Sequence, residues 1–442
     1  MRGGFFIDAN LSISIKDLYS VFLEHPFICT DNRKVVKGSM FFALKGDHFN
    51  GNDYAEQAIA GGCAYAIVDD MEKSDGERLI YVEEVLPALQ ELAAYHREAL
   101  DIPVLCITGT NGKTTTKDLT ARILSKKLNV VATKGNLNNH IGVPLSLLTI
   151  GKDAEIAVME LGANHTKEIE FLCKIAKPTH GLITNIGKAH LEGFGDLDGV
   201  KQTKLELYQF LKATDGQVFV NGDNTMLMDL STGMNPVLYG SSEGSYCRGT
   251  LLDNEKYLKI SYSQQGDATQ EINTSLLGTY NFENIMAAIC IGSFFQVPAT
   301  DIVEAVESYV PDNNRSEELD TDNNHVILDA YNANPMNMRA ALESFTNRVK
   351  ANRMVILGDM LELGTYAEEE HKAIVDLLRE HSYERVILVG EEFSKVCTML
   401  RCEHFTNVND AKIWLESSPA SGMNILVKGS RGIGLEVLLE AL

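Results

Sequence analysis

The feature that most constrains this chain is an apolar, β-branched run that passes through a glycine-rich turn into a helical pattern. Val104–Thr108 has the composition of a buried strand, and 113–128 carries apolar residues at helical spacing. Further buried-strand runs follow at 156–159, 181–184 and 218–220, with helical segments between them. Strands that alternate with helices predict a parallel sheet covered on both faces. We therefore expect an α/β fold for the middle of the chain.

Two further α/β segments flank this middle part, and 442 residues fit about three domains. The first 83 residues alternate short apolar runs with polar turns, and four more strand runs follow the turn-rich stretch 310–314. Residues 245–275 break the rhythm with alternating apolar positions and a turn at 265–267, which predicts an inserted β-hairpin. The predicted domains are a small N-terminal α/β domain (1–83), a central P-loop-type parallel-sheet domain (84–310) and a C-terminal Rossmann-like domain (311–442).

Composition excludes two classes of partner. Lys and Arg number 39 against 61 Asp and Glu, so the formal net charge is −22. Such an acidic chain binds nucleic acid and anionic membrane surfaces poorly. No apolar run approaches the roughly 20 residues that a membrane span needs, and the stretch 1–10 lacks the apolar core of a signal peptide. The eight cysteines are scattered without a Cys-x-x-Cys pair, which favours reduced thiols in the cytoplasm.

The glycine-rich turn at 108–114 reads Thr-Gly-Thr-Asn-Gly-Lys-Thr and joins the predicted strand to the predicted helix. There the backbone N–H groups and the helix N-terminus face an anion, which predicts phosphate binding. Lys113 would neutralise the β- and γ-phosphates and Thr114 would bind Mg²⁺. The strict G-x-x-x-x-G-K-[ST] pattern is not met because position 107 is Ile, so an ordinary strand–helix turn is the alternative. The predicted ATP contacts in this turn are Thr108, Gly109, Thr110, Asn111, Gly112, Lys113, Thr114 and Thr115.

Two candidate metal ligands follow buried strand runs. Glu160 ends one run, and His190 lies just beyond another. Open α/β sheets bind ligands at the carboxyl ends of their strands. Taken singly, each of these residues is more often solvated than a ligand, but together with Thr114 they could hold hard cations that bridge phosphates.

Several segments together resemble the Mur ligases, the ATP-dependent amide-forming enzymes of peptidoglycan synthesis. The segments shared with the whole family are 108–116, 159–163, 185–192 with Lys204 after it, and 278–284. Residues 329–335, 355–364 and 427–431 are similar to the branch that adds D-alanyl-D-alanine to a UDP-N-acetylmuramoyl-tripeptide. Residues 29–33 and 41–46 are similar to the uridine-binding domain of that branch. The resemblance covers essentially the whole chain.

The resemblance implies roles that the residues alone do not. Thr114, Glu160, His190 and a carbamylated Lys204 would serve two Mg²⁺ ions. Catalysis would rest on Lys113, Lys204, His190 and Arg315. The remaining ATP contacts would be Asn281, Asn284, Arg315 and Asp329. The residues implied for substrate binding are Thr30, Asp31, Arg33, Lys45 and Gly46 on the uridine side, and Asn332, Asn334 and Pro335 around the dipeptide.

Each of these roles has a structural alternative. Lys204 could be a solvated helix lysine, and Asn281 and Asn284 could cap and pack the start of a helix. Arg315 could form an ion pair within its loop, and Asp329 could be an ordinary strand-end carboxylate. For His371 we favour a structural role. The chain also departs from the family at Asn32, Asn50 and Asn52, where Ser, Asp and His are usual, which puts the detailed uridine contacts in question.

The implied reaction has two steps. The terminal carboxylate of the tripeptide attacks the γ-phosphoryl group of ATP, and the amine of D-alanyl-D-alanine then displaces phosphate from the acyl phosphate. Two Mg²⁺ ions, Lys113 and Arg315 would offset the charge repulsion of the first step. Because the reactants come from three domains, productive geometry requires closure. We expect a cytoplasmic monomer, with the third residue of the tripeptide left open between lysine and diaminopimelate.

Other functions compete with this interpretation. The loop Gly429-Ser-Arg-Gly-Ile-Gly434 is similar to a dehydrogenase glycine loop, but only eight residues follow it and a βαβ unit cannot be built. A nucleotide-dependent binding protein without ligase activity is a second alternative. Within the ligases, the alternatives are the preceding step, which adds the third amino acid, and folate polyglutamylation. The first usually carries an Asp-Asn-Pro-Arg motif that is missing here, and the second lacks the uridine-type domain.

Overall fold

A computed structural model describes residues 12–73, 76–264, 266, 268–311 and 315–442. Three predicted features lie wholly or partly outside those residues: the segment 1–10, the turn at 265–267 and the boundary at 310–314. The described chain forms three main sheets, of four, nine and six strands, plus a two-stranded ribbon. The α/β class predicted from the sequence is confirmed. No helix among the described residues is long and apolar enough to cross a membrane.

The N-terminal sheet is small and parallel, in the order β1-β2-β5-β6. Its two central strands are buried on both faces, as the apolar runs at 40–44 and 65–68 require. Its strands and those of the adjoining ribbon are β1 (Ile28–Cys29), β2 (Met40–Phe42), β3 (Lys45–Gly46), β4 (Phe49–Asn50), β5 (Tyr65–Val68) and β6 (Leu79–Tyr81). The helices are α1 (Ile15–Glu24), α2 (Ala55–Ala60) and α3 (Val85–Ala99), the last leading into the central sheet.

The central sheet has the order β15-β14-β13-β12-β11-β10-β7-β9-β8, parallel from β8 to β13 and antiparallel beyond. The predicted hairpin is β14–β15, and the structure adds β13 to it. The strands are β7 (Val104–Thr108), β8 (Val130–Ala132), β9 (Ile156–Glu160), β10 (His180–Ile183), β11 (Gln217–Asn221), β12 (Val237–Gly240), β13 (Cys247–Asp253), β14 (Lys259–Gln264) and β15 (Gln270–Asn273). The helices are α4 (Lys113–Leu124), α5 (Gly142–Leu147), α6 (Glu168–Ala176), α7 (Leu191–Phe194), α8 (Leu197–Ala213), α9 (Thr225–Leu230), α10 (Asn281–Phe294) and α11 (Ala299–Glu307).

The C-terminal sheet has the order β16-β17-β21-β18-β19-β20. Its first strand pairs antiparallel and the others are parallel. The strands are β16 (Glu317–Asp320), β17 (His325–Asp329), β18 (Arg353–Gly358), β19 (Arg385–Val389), β20 (Glu403–Phe405) and β21 (Asn424–Lys428). The helices are α12 (Pro335–Arg348), α13 (Ala367–Arg379), α14 (Glu391–Val396) and α15 (Val408–Ser417). The helical patterns predicted at 336–349, 367–380 and 408–416 correspond to α12, α13 and α15.

Strand register brings the predicted functional segments to one edge of the central sheet. Ile107 is opposite Glu160, and Thr108 is opposite Ile183. The carboxyl ends of β7, β9 and β10 therefore lie side by side, and the glycine-rich turn, Glu160 and the 184–190 segment all begin there. All eight cysteines are free thiols, and six of them are buried.

His180 at the start of β10 should make the protein acid-sensitive. Its ring lies among Phe219, Phe294 and Phe295, with centroids 5.2 to 6.3 Å away, and burial lowers its pKa from 6.5 to about 4. The unfolded chain therefore binds the proton first, so stability is present above pH 6.5 and is lost as pH falls toward 4. We expect the free energy of unfolding in urea to fall by about 2 kcal/mol more between pH 7 and 4.5 in the wild type than in His180→Phe.

The exposed His381 provides the control for this experiment. His381→Phe should keep the full pH dependence of the wild type. Equal acid sensitivity of His180→Phe and the wild type would contradict the assignment of this loss to His180.

Candidate active site

A cavity of about 870 Å³ lies between the central and C-terminal sheets. Cavities of this size hold ligands as large as a nucleotide. From the central sheet it is lined by 110–115, Glu160 and His190, and by the start of α10. The C-terminal side contributes Arg315, Asp329 and a loop after β21. Residues from three of the predicted motifs thus meet at one site.

The turn between β7 and α4 has the shape of an anion cradle. Two of its glycines occupy positions where any other residue would be strained. Gly109 and Gly112 have φ values of +141° and +78°, in the left-handed region that favours glycine. An added Cβ would lie 2.0 Å from Thr184 Oγ1 at Gly109, and 2.2 Å from Asn284 Oδ1 at Gly112. The turn can therefore approach its neighbours and a ligand closely, and α4 begins directly after it.

The segment after β10 holds the backbone of this turn. The Asn111 N–H donates to Asn185 Oδ1 at 2.9 Å. Thr184 Oγ1 and Asn185 Nδ2 donate to the Asn111 carbonyl at 2.6 and 3.1 Å. Thr110 Oγ1 accepts from the Gly187 N–H at 3.0 Å. The turn is therefore pre-formed, so its N–H groups need little reorganisation to bind phosphate.

Lys113 folds over the turn that precedes it. Its Nζ donates to the carbonyls of Gly109 at 2.7 Å and Thr110 at 3.0 Å. Burial lowers the pKa of Lys113, the carboxylate of Glu160 opposes this shift, and the charge of Arg315 adds to it. The cavity is thus short of negative charge where phosphates would lie.

Glu160, Thr114 and Asn138 form a compact polar group at the base of the cavity. Thr114 Oγ1 donates to Glu160 Oε2 at 2.9 Å, and Asn138 Nδ2 donates to Glu160 Oε1 at 2.7 Å. Glu160 is buried, as is Thr114. The described residues contain no group of three or more His, Cys, Asp or Glu side chains placed to hold a metal ion. One carboxylate with one hydroxyl fits Mg²⁺, which takes its other ligands from water and phosphate oxygens.

His190 also lies at the cavity, where Glu362 from the loop between β18 and α13 contacts it. Its Nδ1 pairs with the carboxylate of Glu362, and Glu362 also accepts the Glu192 N–H through its carbonyl at 3.1 Å. Lys188 pairs with Glu370 at 2.5 Å in the same interdomain contact. The contact uses Nδ1, so His190 could reach a metal ion only through Nε2, its other ring nitrogen.

The solvated-helix alternative for Lys204 is excluded by its burial. Lys204 lies on α8 and is 2% exposed, with its Nζ 5.3 Å from the centre of the Phe194 ring. Burial and the charge of Lys113 lower its pKa from 10.5 to about 7. Within the described chain no carboxylate forms an ion pair with it, and a buried unpaired ammonium is costly. Among the described residues, Lys204 is thus buried without a carboxylate partner, and its carbamylation stays a prediction.

Asn281 and Asn284 begin α10 and line the cavity, but they also pack with each other. Asn284 Nδ2 donates to Asn281 Oδ1 at 2.8 Å, and Thr116 Oγ1 donates to Asn284 Oδ1 at 3.1 Å. Asn281 Nδ2 donates to the Leu277 carbonyl at 2.7 Å. The structure thus places both residues at the cavity and also shows the polar packing that was their structural alternative.

The C-terminal side supplies cations to the cavity. Arg315 lies 3.9 Å and Arg431 5.4 Å from the centre of the Tyr331 ring. Asp329 does not pair with Arg315. It accepts from Nζ of the buried Lys428 at 2.6 Å, and the same Nζ reaches the Asn332 carbonyl at 3.3 Å. Arg315 therefore stacks on Tyr331, and Asp329 is a strand-end carboxylate paired with a buried lysine; their contacts with a nucleotide stay a prediction.

Besides Lys204 on α8 and Asn334 and Pro335 at the start of α12, seven predicted site residues do not line this cavity. Thr108 is fully buried and its hydroxyl donates to the Leu161 carbonyl at 2.8 Å, so it supports the strand end and does not face the ligand space. Gly109 shapes the turn without lining the cavity. The other five, Thr30, Asp31, Arg33, Lys45 and Gly46, belong to the N-terminal sheet region.

The N-terminal residues form their own polar contacts. Asp31 caps the turn at Asn32–Lys34 and pairs with Arg33 at 2.9 Å. Lys45 pairs with Asp69 at 2.8 Å, and Asp69 also accepts from Asn52 Nδ2 at 2.7 Å. Asn50 and Asn32, the other departures from the family, bond to Asn52 and to Gln57. The asparagine at 52 is thus built into the fold beside a predicted uridine contact.

The three residues predicted around the dipeptide do not all line the cavity. Asn332 lines the cavity. Asn334 is 2% exposed and is the N-cap of α12, and Pro335 is its first residue, so neither lines this cavity; that they shape the dipeptide pocket stays a prediction. Their types suit the start of a helix, where an asparagine cap and a proline at the first position are favoured.

His371 has the structural role that the sequence favours. It is fully buried, its Nδ1 donates to the Ala367 carbonyl at 2.7 Å and its Nε2 accepts from the Met360 N–H at 3.0 Å. Burial lowers its pKa, and Nε2 accepts an N–H, which only an unprotonated ring nitrogen can do. It holds the 359–363 segment against α13.

Sequence reasoning did not assign several residues of the site. They are Asn138, Asn185, Tyr331, Asn337, Glu362, Lys428 and Arg431. A lysine at the end of a buried strand, as at 428, is a signal that could have been used. The loop after β21, which is similar to a dehydrogenase glycine loop, continues into short 3₁₀ turns and lends Ser430, Arg431 and Gly432 to the cavity.

Comparisons with known proteins agree on one family. Three sequence models match: the Mur ligase family catalytic domain at residues 25–102, the Mur ligase middle domain at 107–292, and the Mur ligase glutamate ligase domain at 314–431. The chain is 34% identical to the UDP-N-acetylmuramoyl-tripeptide–D-alanyl-D-alanine ligase of Bacillus subtilis (strain 168), over 94% of the chain and 92% of that relative. It is 32% identical to the enzyme of the same name from Escherichia coli (strain K12), over 94% and 93%.

Solved structures give the same result. The structure matches that of MurF from Acinetobacter baumannii with a TM-score of 0.86 and 29% identity, covering 97% of this chain and 98% of the other. It matches the MurF ligase from Thermotoga maritima in complex with ADP with a TM-score of 0.82 and 25% identity, covering 95% and 97%.

Proposed function

The chain belongs to the Mur ligase family, and we propose that it joins D-alanyl-D-alanine to UDP-N-acetylmuramoyl-tripeptide through an acyl phosphate, consuming ATP. The observation that carries this proposal is the meeting of three groups at one cavity. These are the phosphate turn at 109–114, the Thr114–Glu160 pair, and Arg315 and Asp329 from the C-terminal sheet. Relatives of similar length that are named for this activity, and a similar structure in complex with ADP, support it.

The first step is the attack of the tripeptide carboxylate on the γ-phosphorus of ATP, with ADP leaving. Carboxylate and triphosphate repel each other, so the site must supply positive charge. The N–H groups of the turn and the α4 N-terminus would bind the phosphates, and Lys113 would move from its loop carbonyls onto the β- and γ-phosphates. Arg315 would meet the transferred group from the opposite wall.

Magnesium ions would bind at the base of the cavity, where bound Mg²⁺ neutralises phosphate charge and favours the in-line transfer. The residues that fit one ion are Thr114 and Glu160. Asn138 keeps the Glu160 carboxylate in place. His190 and a carbamylated Lys204 would serve a second ion, with the Glu362 carboxylate fixing the ring of His190.

The second step forms the amide bond. The amine of the dipeptide attacks the acyl carbonyl carbon, the amine loses a proton, and inorganic phosphate leaves from the tetrahedral intermediate. Asn332 and Arg431 line the cavity on the C-terminal side, where the acceptor would enter. Groups that face each other across this interdomain cavity hold the two reactants only when the domains are docked.

Carbamylation of Lys204 is supported by its surroundings. Only a neutral amine attacks carbon dioxide, and a pKa of about 7 keeps a large neutral fraction near neutral pH. As an ammonium, Lys204 repels Lys113 in a buried site, whereas a carbamate would attract it and add two hard oxygens.

The uridine contacts are assigned to the N-terminal residues Thr30, Asp31, Arg33, Lys45 and Gly46. Asp31 already pairs with the exposed Arg33, a weak contact that a bound nucleotide would displace, whereas Lys45 pairs with the largely buried carboxylate of Asp69. We also propose that the protein works as a monomer in the cytoplasm, which scattered, free cysteines and a site complete within one chain support.

The acceptor decides between this function and the preceding pathway step. With ATP and a UDP-muramoyl-tripeptide, D-alanyl-D-alanine should give phosphate release at least about 10²-fold faster than L-lysine or diaminopimelate. The reason is that a site shaped for one acceptor leaves polar groups unpaired with another, which costs several kcal/mol. The measurement is steady-state phosphate release with each acceptor in turn.

The control omits the tripeptide, and phosphate release should then cease. Phosphate release that continues when either substrate is omitted would favour a nucleotide-dependent binding protein. Faster turnover with a single amino acid and a UDP-muramoyl-dipeptide would assign the enzyme to the preceding step.

A further inference from the structure

The start of α12 contacts the phosphate turn directly. Asn334 and Asn337 form a capping box: the Asn337 N–H donates to Asn334 Oδ1 at 3.0 Å, and the Asn334 N–H donates to Asn337 Oδ1 at 2.9 Å. Both side-chain oxygens therefore accept within the helix cap, and Asn334 Oδ1 also accepts from Asn111 Nδ2 at 3.4 Å. Both side-chain NH₂ groups remain for other acceptors.

Those NH₂ groups converge on one atom of the phosphate turn. Asn334 Nδ2 donates to Asn111 Oδ1 at 2.8 Å, and Asn337 Nδ2 donates to the same oxygen at 3.1 Å. Asn337 Nδ2 also reaches the Asn332 carbonyl at 3.3 Å. The backbone of Asn111 is bonded to Thr184 and Asn185, and its side chain is bonded to α12. Asn111 therefore links the position of α12 to the conformation of the turn.

A close backbone approach supports the same contact. A Cβ added to Gly187 would lie 2.9 Å from the side chain of Met336, the second residue of α12. Gly187 is bonded to Thr110 of the turn, so the helix start touches the turn and the segment that supports it.

The residue type at position 337 supports the same contact. Glutamate or glutamine is usual at this position of a capping box, and glutamate has no donor for Asn111.

We propose that the Asn334–Asn337 capping box is an interdomain latch: it binds the phosphate turn at Asn111 when the C-terminal sheet docks against the central sheet. Asn337 is then a positioning residue that couples domain docking to the conformation of the turn. The inference rests on the proposed function only where turnover is its readout.

The test is Asn337→Asp, which keeps the oxygen that caps α12 and replaces the donor with a carboxylate facing Asn111 Oδ1. We expect kcat to fall about tenfold, in the range of ordinary coupling between sites. In the presence of ADP the variant should show a larger radius of gyration by small-angle X-ray scattering than the wild type. The melting temperature should stay within a few degrees because the cap is retained.

A double-mutant cycle separates a latch from a mere helix cap. Asn111→Ala should also lower kcat, and the Asn111→Ala, Asn337→Asp double variant should be little worse than the poorer single variant. Asn347→Asp, an exposed change of equal charge on the same helix, is the matched control and should leave kcat and the radius of gyration unchanged.

Multiplicative effects of the two changes on kcat, or a radius of gyration unchanged in Asn337→Asp, would overturn the latch. The scattering measurement uses ADP alone and needs no turnover. A wrong acceptor assignment would therefore leave that readout intact, so the two failures are distinguishable.

Discussion

Lys113→Ala is expected to lower kcat by about 10³-fold while the protein stays folded. The ammonium is the one lysine group that reaches over the phosphate turn, and a single cation aimed at developing phosphoryl charge contributes on this scale. Alanine loses two hydrogen bonds to loop carbonyls but also removes a buried charge, so stability should change little. Phosphate release measures the first effect, and thermal unfolding measures the second.

The control is Lys126→Ala, beyond the far end of the same helix. Its surface ion pair with Glu304 contributes at most about 1 kcal/mol to stability and touches no part of the cavity. Near-normal kcat in a well-folded Lys113→Ala protein would remove the turn from the phosphate-transfer site.

Lys204→Gln and Lys204→Arg are expected to lower kcat by about 10²-fold or more, corresponding to about 3 kcal/mol. Neither side chain can be carbamylated, and the fixed charge of arginine would oppose both Lys113 and a metal ion. In wild-type protein supplied with ¹³C-labelled bicarbonate, we expect a carbamate carbon signal by NMR that Lys204→Gln lacks. This signal reports the modification independently of turnover.

Lys201 is the internal control, one turn earlier on α8 and more exposed. Lys201→Gln should keep kcat and the carbamate signal. Wild-type activity in the Lys204 variants, or a carbamate signal that persists in Lys204→Gln, would show that Lys204 has only a packing role.

The periodic parts of this molecule could be predicted from the sequence because local patterns determine them. Alternation of β-branched runs with helical spacing identified β7, β9, β10 and α4. The glycine-rich turn between a strand and a helix predicted a phosphate cradle, and the structure shows why glycine is needed there, since φ values near +80° and +140° disfavour other residues. Glu160 could be placed at a strand end because β9 ends with it, and parallel strands share one ligand-binding edge. The resemblance to the Mur ligases added roles that spacing alone could not supply.

Contacts between distant parts of the chain were decided only by the tertiary structure. Nothing local indicates that Asn334 and Asn337 donate to Asn111, more than 200 positions earlier, or that Glu362 pairs with His190. The same holds for Lys204, whose helical surroundings suggest a solvated residue until α8 packs against α6 and α7 and buries it. Hydrophobic periodicity reports which face of an element is covered, but not by which partner. Hydrogen bonds across the domain interface arise only when the sheets dock. The pKa shift of Lys204 arises when helices of the central domain pack around it, and no local pattern names those partners.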